Sequence, residues 1–353
     1  MTDREAVFLE KLARTGLWQL PGLLQALPDE TARLARLCYA ASPAGDWLDT
    51  PPEVFFSCAA HARYLRENVS WTRALPEPLF LAYVLHPRVN NEALCDCRPV
   101  FYAALAERLR GLPEEAAILE INRWCAEHVA YQPTDERTRS ALAVLRAGFG
   151  RCGEESMFAV NVLRACGFAA RQVYVPRWAH CDDNHAWVEV WCGGAWHFLG
   201  ACEPEAVLDR GWFNSAAGRA VLVHSRCFGR PAADDTVIST DGAVTFLNQT
   251  ARYAPVRTLT VLVREPDGRP SAGAEVTFGI VNASEIFPAA VLRTDSSGAA
   301  RLCCGYGDLV VQVRKHALRS ETLCLAAQQT LELTLAEPET PSGRWEARTF
   351  RAP

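Results

Sequence analysis

Lysine is almost missing from this chain: Lys11 and Lys315 are the two among 353 residues, so arginine supplies nearly all the positive charge. A coding bias toward Arg and Ala is the simplest reading. A lysine-poor surface that an isopeptide-forming enzyme could not crosslink to itself is the sharper one. An excess of positive charge is missing too. The formal net charge is -5, which leaves no basic footprint for nucleic acid or an anionic membrane surface. No run of about 18 apolar residues occurs, so no transmembrane span is predicted. The start, MTDREAVFLEKLART, puts charged residues where a signal peptide needs an apolar core, and it reads as an amphipathic helix. The 14 cysteines never form a CxxC pair, and the CxC of Cys95 and Cys97 has no second pair at metal-site spacing. Without an export signal they are expected to be reduced, mostly buried thiols of a cytoplasmic protein that needs no cofactor and no metal.

What is present suits a soluble α+β chain of two or three domains. Residues 1–110 read as a helical region. Phe8, Leu9, Leu12 and Ala13, then Leu23, Leu24 and Leu27, recur at helical spacing, with proline-marked turns at Pro51-Pro52 and Pro76. In the polar loop HPRVNNEALCDCRP, Asn90, Asn91 and Glu92 are candidates to line a cleft, but capping or turn roles are favoured for the asparagines. A core domain is expected over 111–254. It opens with a long amphipathic helix after Pro113, whose first turn is acidic. From 255 to 337 short alternating runs punctuated by PDG and SSG turns predict an antiparallel β-sandwich of roughly seven strands. A loose tail is expected over 338–353.

The chemistry concentrates between Phe149 and Pro204. Cys152 lies between Gly150 and Gly153 and opens a helix whose inward face carries Met157, Phe158, Val162, Leu163 and Cys166, with Gly167 as its stop. A helix N-terminus favours the thiolate, so Cys152 is the candidate nucleophile. His185 stands at the entry of the alternating strand AWVEVW and is the candidate base. His180, five residues earlier, is its rival but precedes a loop. A glycine turn at Gly193-Gly194 returns the chain as the next strand of a hairpin, AWHFLGACEPE. A carboxylate beyond that strand would hold the imidazole in one tautomer. Glu203, Glu205, Asp182 and Asp183 are available. Glu203 is favoured because it follows the strand directly and Pro204 fixes the chain after it. The dense set His180, Cys181, His185, Cys192 and Cys202 has no standard zinc spacing, and a strand alternates faces.

The order GRCGEESMFAVNVLRACGFAARQVYVP, NHAWVEVW, AWHFLGACEP resembles the transglutaminase-like superfamily over about 110–215. The resemblance implies a papain-type core, in which a cysteine at a helix start packs on an antiparallel sheet bearing histidine and aspartate. It implies acyl transfer through Cys152, His185 and a third, acidic residue, with the backbone N–H of Cys152 in the oxyanion hole. Trp124 and Gln132 are the possible side-chain donors there. The family's aspartate falls four residues past the strand's tryptophan, and that count from Trp196 reaches Gly200, so either Glu203 substitutes, the favoured reading, or the orienting carboxylate is missing. LTVLVREPDGRPSAGAEVTF and TDSSGAAR resemble a transthyretin-like or carboxypeptidase-regulatory-like module, which implies an accessory sandwich. The expected activity is cysteine-dependent attack on a peptide, isopeptide or side-chain amide of a peptide or protein substrate, resolved by water. Resolution by an amine, or a non-catalytic binding role on the same fold, are the alternatives. The oligomeric state is not legible.

Overall fold

The computed structural model of the chain describes residues 3–135 and 137–337; the tail expected over 338–353 lies outside the described residues. Helices α1 (Asp3–Thr15), α2 (Leu20–Gln25), α3 (Asp29–Ala41), α4 (Ala44–Asp49), α5 (Pro52–Asn68), α6 (Ser70–Ala74), α7 (Glu77–Phe80) and α8 (Arg98–Leu109) build the N-terminal region. Pro28, Pro43, Pro51 and Pro76 immediately precede α3, α4, α5 and α7. A residue without an N–H suits a place where the helix offers that donor no partner. Tyr39 is the hub of the helical core, stacked on Phe55 at 4.2 Å and edge-on to Trp47 at 4.8 Å.

Between α7 and α8 a π-helical turn, Leu81–Leu85, leaves carbonyls at its end without helical partners. Two buried arginines bond carbonyls at its end and in the segment after it. Arg98 donates to the carbonyls of Val84 and His86. Arg164 donates to those of His86 at 2.8 Å, Arg88 at 3.0 Å and Ala170 at 2.9 Å. The segment before α8 is thereby pinned to the next layer. Within it Glu92, rather than an asparagine, holds the turn by accepting the N–H groups of Val89 and Asn90, while the Asn90 side chain donates to Gln172 Oε1 at 2.5 Å.

Helix α9 (Glu114–His128), the short strand β1 (Ala130–Tyr131), α10 (Ala141–Ala147), β2 (Phe149–Gly150) and α11 (Cys152–Ala165) follow. Helix α11 packs on a six-stranded antiparallel sheet of order β5-β4-β3-β6-β8-β7. Its strands are β3 (Ala170–Val175), β4 (His185–Cys192), β5 (Ala195–Leu199), β6 (His224–Phe228), β7 (Val237–Asp241) and β8 (Val244–Asn248). Short helices α12 (Asn214–Ala217) and α13 (Thr250–Tyr253) flank them. Ala170, Val188 and Val190 join the core beneath α11. The opposite face carries the cross-strand partners Arg171 and Glu189, both buried, with a 2.7 Å Nε–Oε2 hydrogen bond. Arg252 and Tyr253 of α13 complete the shell around Glu189 at 2.8 and 2.7 Å. Removing one member of such a buried set costs about 3–5 kcal/mol, because the other charge is left unpaired. Gln172 ties β3 to the first turn of α11, donating to Gly153 O at 2.9 Å and Ser156 Oγ at 2.7 Å.

Strands β9 (Val256–Arg264), β10 (Glu275–Asn282), β11 (Glu285–Arg293), β12 (Ala299–Gly305), β13 (Leu309–Lys315), β14 (Leu318–Cys324) and β15 (Thr330–Thr334) form a four-stranded sheet, β11-β10-β13-β14, and a three-stranded one, β12-β9-β15. All pairings are antiparallel except β15 with β9. Leu259, Val261, Phe278, Ile280 and Val311 fill the interior, each removed from water and worth about 2 kcal/mol. This sandwich touches the core at a telling place. Asn282, at the turn of the β10–β11 hairpin, donates to Trp178 O at 2.9 Å and Cys181 O at 2.7 Å, and Ala283 N–H donates to Asp182 Oδ1 at 2.7 Å. The loop that leads into β4 is held by the C-terminal unit. Among the described residues, no helix is long and apolar enough to cross a membrane.

Candidate active site

Cys152 is the first residue of α11, half-buried, just beyond a turn where space is short. A Cβ at Gly150 would lie 2.9 Å from Cβ of Glu154, so only glycine lets the chain pass there. Glu154 is fully buried and holds the turn together through Thr134 at 2.8 Å and Arg139 at 2.8 Å. The Cys152 thiol meets the backbone N–H groups of Ala186 and Gly153, and the Arg151 charge also favours its thiolate, but burial outweighs all three and pushes the thiol up from its ordinary value. The thiolate expected at the helix start therefore gives way to a resting thiol. Desolvation beats the helix terminus.

His185 is the first residue of β4, paired in register with Val175. Since Ala186 is the next residue, the thiol lies against the backbone that carries the imidazole. The ring is buried between Trp212 at 4.8 Å, Phe213 at 4.9 Å and Trp187 at 5.9 Å. That apolar enclosure lowers its pKa to about 4, against a smaller opposing pull from Asp183. Thiol and imidazole are both neutral at rest. Nε2 of His185 is buried and has no hydrogen-bond partner.

Glu203 follows β5 across a tight turn. Its N–H donates to Gly200 O at 3.3 Å, and Cys202 adopts a left-handed φ of 58°. Asn122, buried on α9, clamps this turn. Its Nδ2 donates to Gly200 O at 2.9 Å and Glu203 O at 3.1 Å, and its Oδ1 accepts Cys202 N–H at 3.0 Å. The carboxylate folds back over Gly200. A Cβ added at Gly200 would stand 2.2 Å from Glu203 Oε2 and 3.1 Å from Glu203 Cδ. Glu203 thus fills the space into which a side chain at position 200 would project. Its Oε1 accepts Trp212 Nε1–H at 2.9 Å, its Oε2 is buried without a partner, and burial raises its pKa. Trp212 packs on His185 and bonds Glu203, so one indole touches both. No hydrogen bond joins Glu203 to His185 among the described residues.

The other acids sit elsewhere. Asp182 accepts the sandwich's Ala283 N–H, exposed Asp183 accepts Asn184 N–H, and Glu205 lies 3.4 Å from Arg210. Trp124 is a core residue packed on His128 and Phe101. Gln132 is exposed, its backbone N–H bonded to Gly150 O at 2.9 Å. His180 packs on Trp178 at 5.2 Å. His185 and Cys192 stand at opposite ends of β4, roughly 23 Å apart at strand rise, so the five-residue metal set cannot converge. Sequence reasoning missed Trp212, Asn122, Tyr131 and Glu155. Asn122 and Glu155 could have been suspected as polar residues on the apolar faces of their helices. Nothing local singles out Trp212, which meets the site through tertiary folding alone.

Residues 103–201 match the model of the transglutaminase-like superfamily. No curated protein matches the chain. Among solved structures, one described as "a Putative Cysteine Protease from Cytophaga hutchinsonii" is 16% identical, covering 52% of this chain and 68% of its own, with a TM-score of 0.31. A superposition that weak carries nothing for the chemistry of this chain.

Proposed function

From the transglutaminase-like core at residues 103–201, we propose cysteine-dependent acyl transfer on a peptide, isopeptide or side-chain amide, with Cys152 as nucleophile and water as acceptor. The observation that carries this reading is the placement of the half-buried Cys152 thiol against the Ala186 N–H, one residue from His185. Neutral His185 takes the thiol proton as Cys152 Sγ attacks the carbonyl carbon. The backbone N–H groups at the start of α11 stabilise the oxyanion. The imidazolium then protonates the departing amine, leaving a thioester. His185 next takes a proton from water, the resulting hydroxide adds to the thioester, and collapse of the adduct breaks the C–S bond, releasing the acid product while the imidazolium returns its proton to the Cys152 thiolate. Glu203 reaches the imidazole through Trp212, whose indole packs on His185 and donates to Glu203 Oε1, so its part is to fix the ring's position, while the Asp183 charge favours the protonated ring. An amine in place of water would make the same thioester a crosslinking intermediate.

The test is mass spectrometry of intact protein and of its peptides after mixing with peptide amides or cell extract. An acyl adduct confined to Cys152, absent in Cys152→Ala, is the expected result. An unmodified Cys152 across a broad substrate panel, with iodoacetamide labelling it no faster than other accessible cysteines, would instead favour a binding protein built on this fold.

A further inference from the structure

Glu155 stands one turn into α11, on the face that carries Cys152, because residues three apart on a helix are neighbours. It is 3% exposed and makes no hydrogen bond or ion pair among the described residues. The charges that act on it are those of Glu203 and Glu154, both acidic. Glu154 is already satisfied by Thr134 and Arg139, but Glu203 keeps a buried oxygen without a partner. Arg151, whose charge acts on the thiol, lies over Gly153 and donates to Asp135 O at 3.2 Å and Thr138 Oγ1 at 3.1 Å, and it is not among the charges that act on Glu155. Two exposed aromatic residues border the same ground. Trp212, 68% exposed, bonds Glu203, and Tyr131, 63% exposed, feels the charges of Cys152, Asp183 and Glu155.

A buried carboxyl group without a donor is costly, and one held beside a second carboxyl is costlier. Aromatic faces and carboxyl groups with no basic partner are the lining that a cation fits. We propose that Glu155, with Glu203 behind it and Tyr131 and Trp212 at its sides, is a subsite for a positively charged group of the substrate, an ammonium or guanidinium seated next to the bond that Cys152 attacks. The inference rests on the reading of Cys152 as the nucleophile of this cleft. Burial beside Glu203 and Glu154 raises Glu155 to about 8. A cation binds the ionised form, so its binding releases a proton and tightens as pH rises from 6 to 9. The other titratable groups that interact with this position are Glu154 on the same helix, Glu203 and Cys202 on the turn after β5, and Tyr131 on β1.

The test uses two thiol reagents of similar size and opposite charge on the full-length protein. These are the trimethylammonium-ethyl and the sulfonato-ethyl methanethiosulfonates, each rate normalised to that with free 2-mercaptoethanol. Peptide mapping reads the rate at Cys152. The expected result is a cation-to-anion ratio of about tenfold or more at pH 8, growing between pH 6 and pH 9 and falling several-fold in Glu155→Gln. A ratio near one in the wild type overturns the proposal, as does a ratio that survives in a folded Glu155→Gln. If that variant does not fold, the wild-type pH series decides: a high ratio that stays flat from pH 6 to 9 also overturns it. Failure of the nucleophile reading would look different, with Cys152 reacting slowly towards both reagents while the ratio between them still reports the charge preference.

Discussion

Glu155→Gln should stabilise the protein at alkaline pH. The folded state holds Glu155 at about 8, above its ordinary value of 4.5, so between these values the folded protein binds a proton that the unfolded chain has released. Stability is therefore lost as pH rises through that window, by about 1.4 kcal/mol per unit for a single group. From pH 6 to pH 8 this amounts to roughly 3 kcal/mol, and above pH 8 the loss levels off. Glutamine keeps the shape and cannot ionise, so the variant should escape the loss. Cys152 and the histidines titrate in both proteins. His185, held at about 4, and His224, at about 3, work in the opposite sense, since a histidine lowered below 6.5 loses stability as pH falls below 6.5. These contributions are common to both proteins, so the wild-type minus variant difference isolates position 155. Urea unfolding at half-unit steps from pH 5.5 to 9, read by intrinsic fluorescence with the slope checked for constancy, measures it. Parallel stability profiles for the two proteins would refute the claim that Glu155 is buried without a donor.

Three other outcomes follow from the geometry. Gly200→Ala should expel the Glu203 carboxylate, since its Cβ would stand 2.2 Å from Oε2; turnover in a peptide-amide assay should fall roughly 10- to 100-fold, and a Gly200→Asp, Glu203→Ala double variant should recover part of it. Asn122→Ala strips three hydrogen bonds from the turn at 200–203, costing about 2–4 kcal/mol in denaturant unfolding; a loss under 1 kcal/mol would show that the clamp is dispensable. With His185 at about 4, the acid limb of kcat/KM should lie near pH 4, because the base must be neutral to accept the thiol proton; a limb near 6.5 would place the ring in water in the working enzyme.

The readable part of this protein was the part where chemistry and local pattern coincide. Cys152 at a glycine-flanked helix start, His185 at a strand entry and Gly193-Gly194 at a hairpin turn each follow from residues within a few positions. The sandwich was legible for the same reason, through alternation and turn residues. What stayed hidden depends on contacts between distant segments. Asn282 reaches back 101 positions to Cys181, so a unit that reads as accessory in the sequence holds the loop before His185. The protonation state was hidden as well. A helix terminus can be read from a sequence, but the closure of Trp187, Trp212 and Phe213 around the imidazole cannot, and that closure keeps the resting pair neutral.

Glu203 occupies the space that a side chain at position 200 would fill. Aspartate at the end of β5 would project from position 200, and here that position has no side chain. The chain instead turns tightly through Cys202, three bonds from Asn122 hold the turn, and a longer side chain returns from 203 into the vacated space. The exchange needs glycine at 200, because any Cβ there would collide with the returning carboxylate. It also accounts for the residues that look least satisfied. His185 Nε2 and Glu203 Oε2 are buried without a partner on side chains that both touch Trp212, and Glu155, 3% exposed, faces the Glu203 charge, each at a cost that a merely structural core would have shed. Three such groups around a single thiol argue that the region is shaped for a bound substrate, whose own donors and charge complete it.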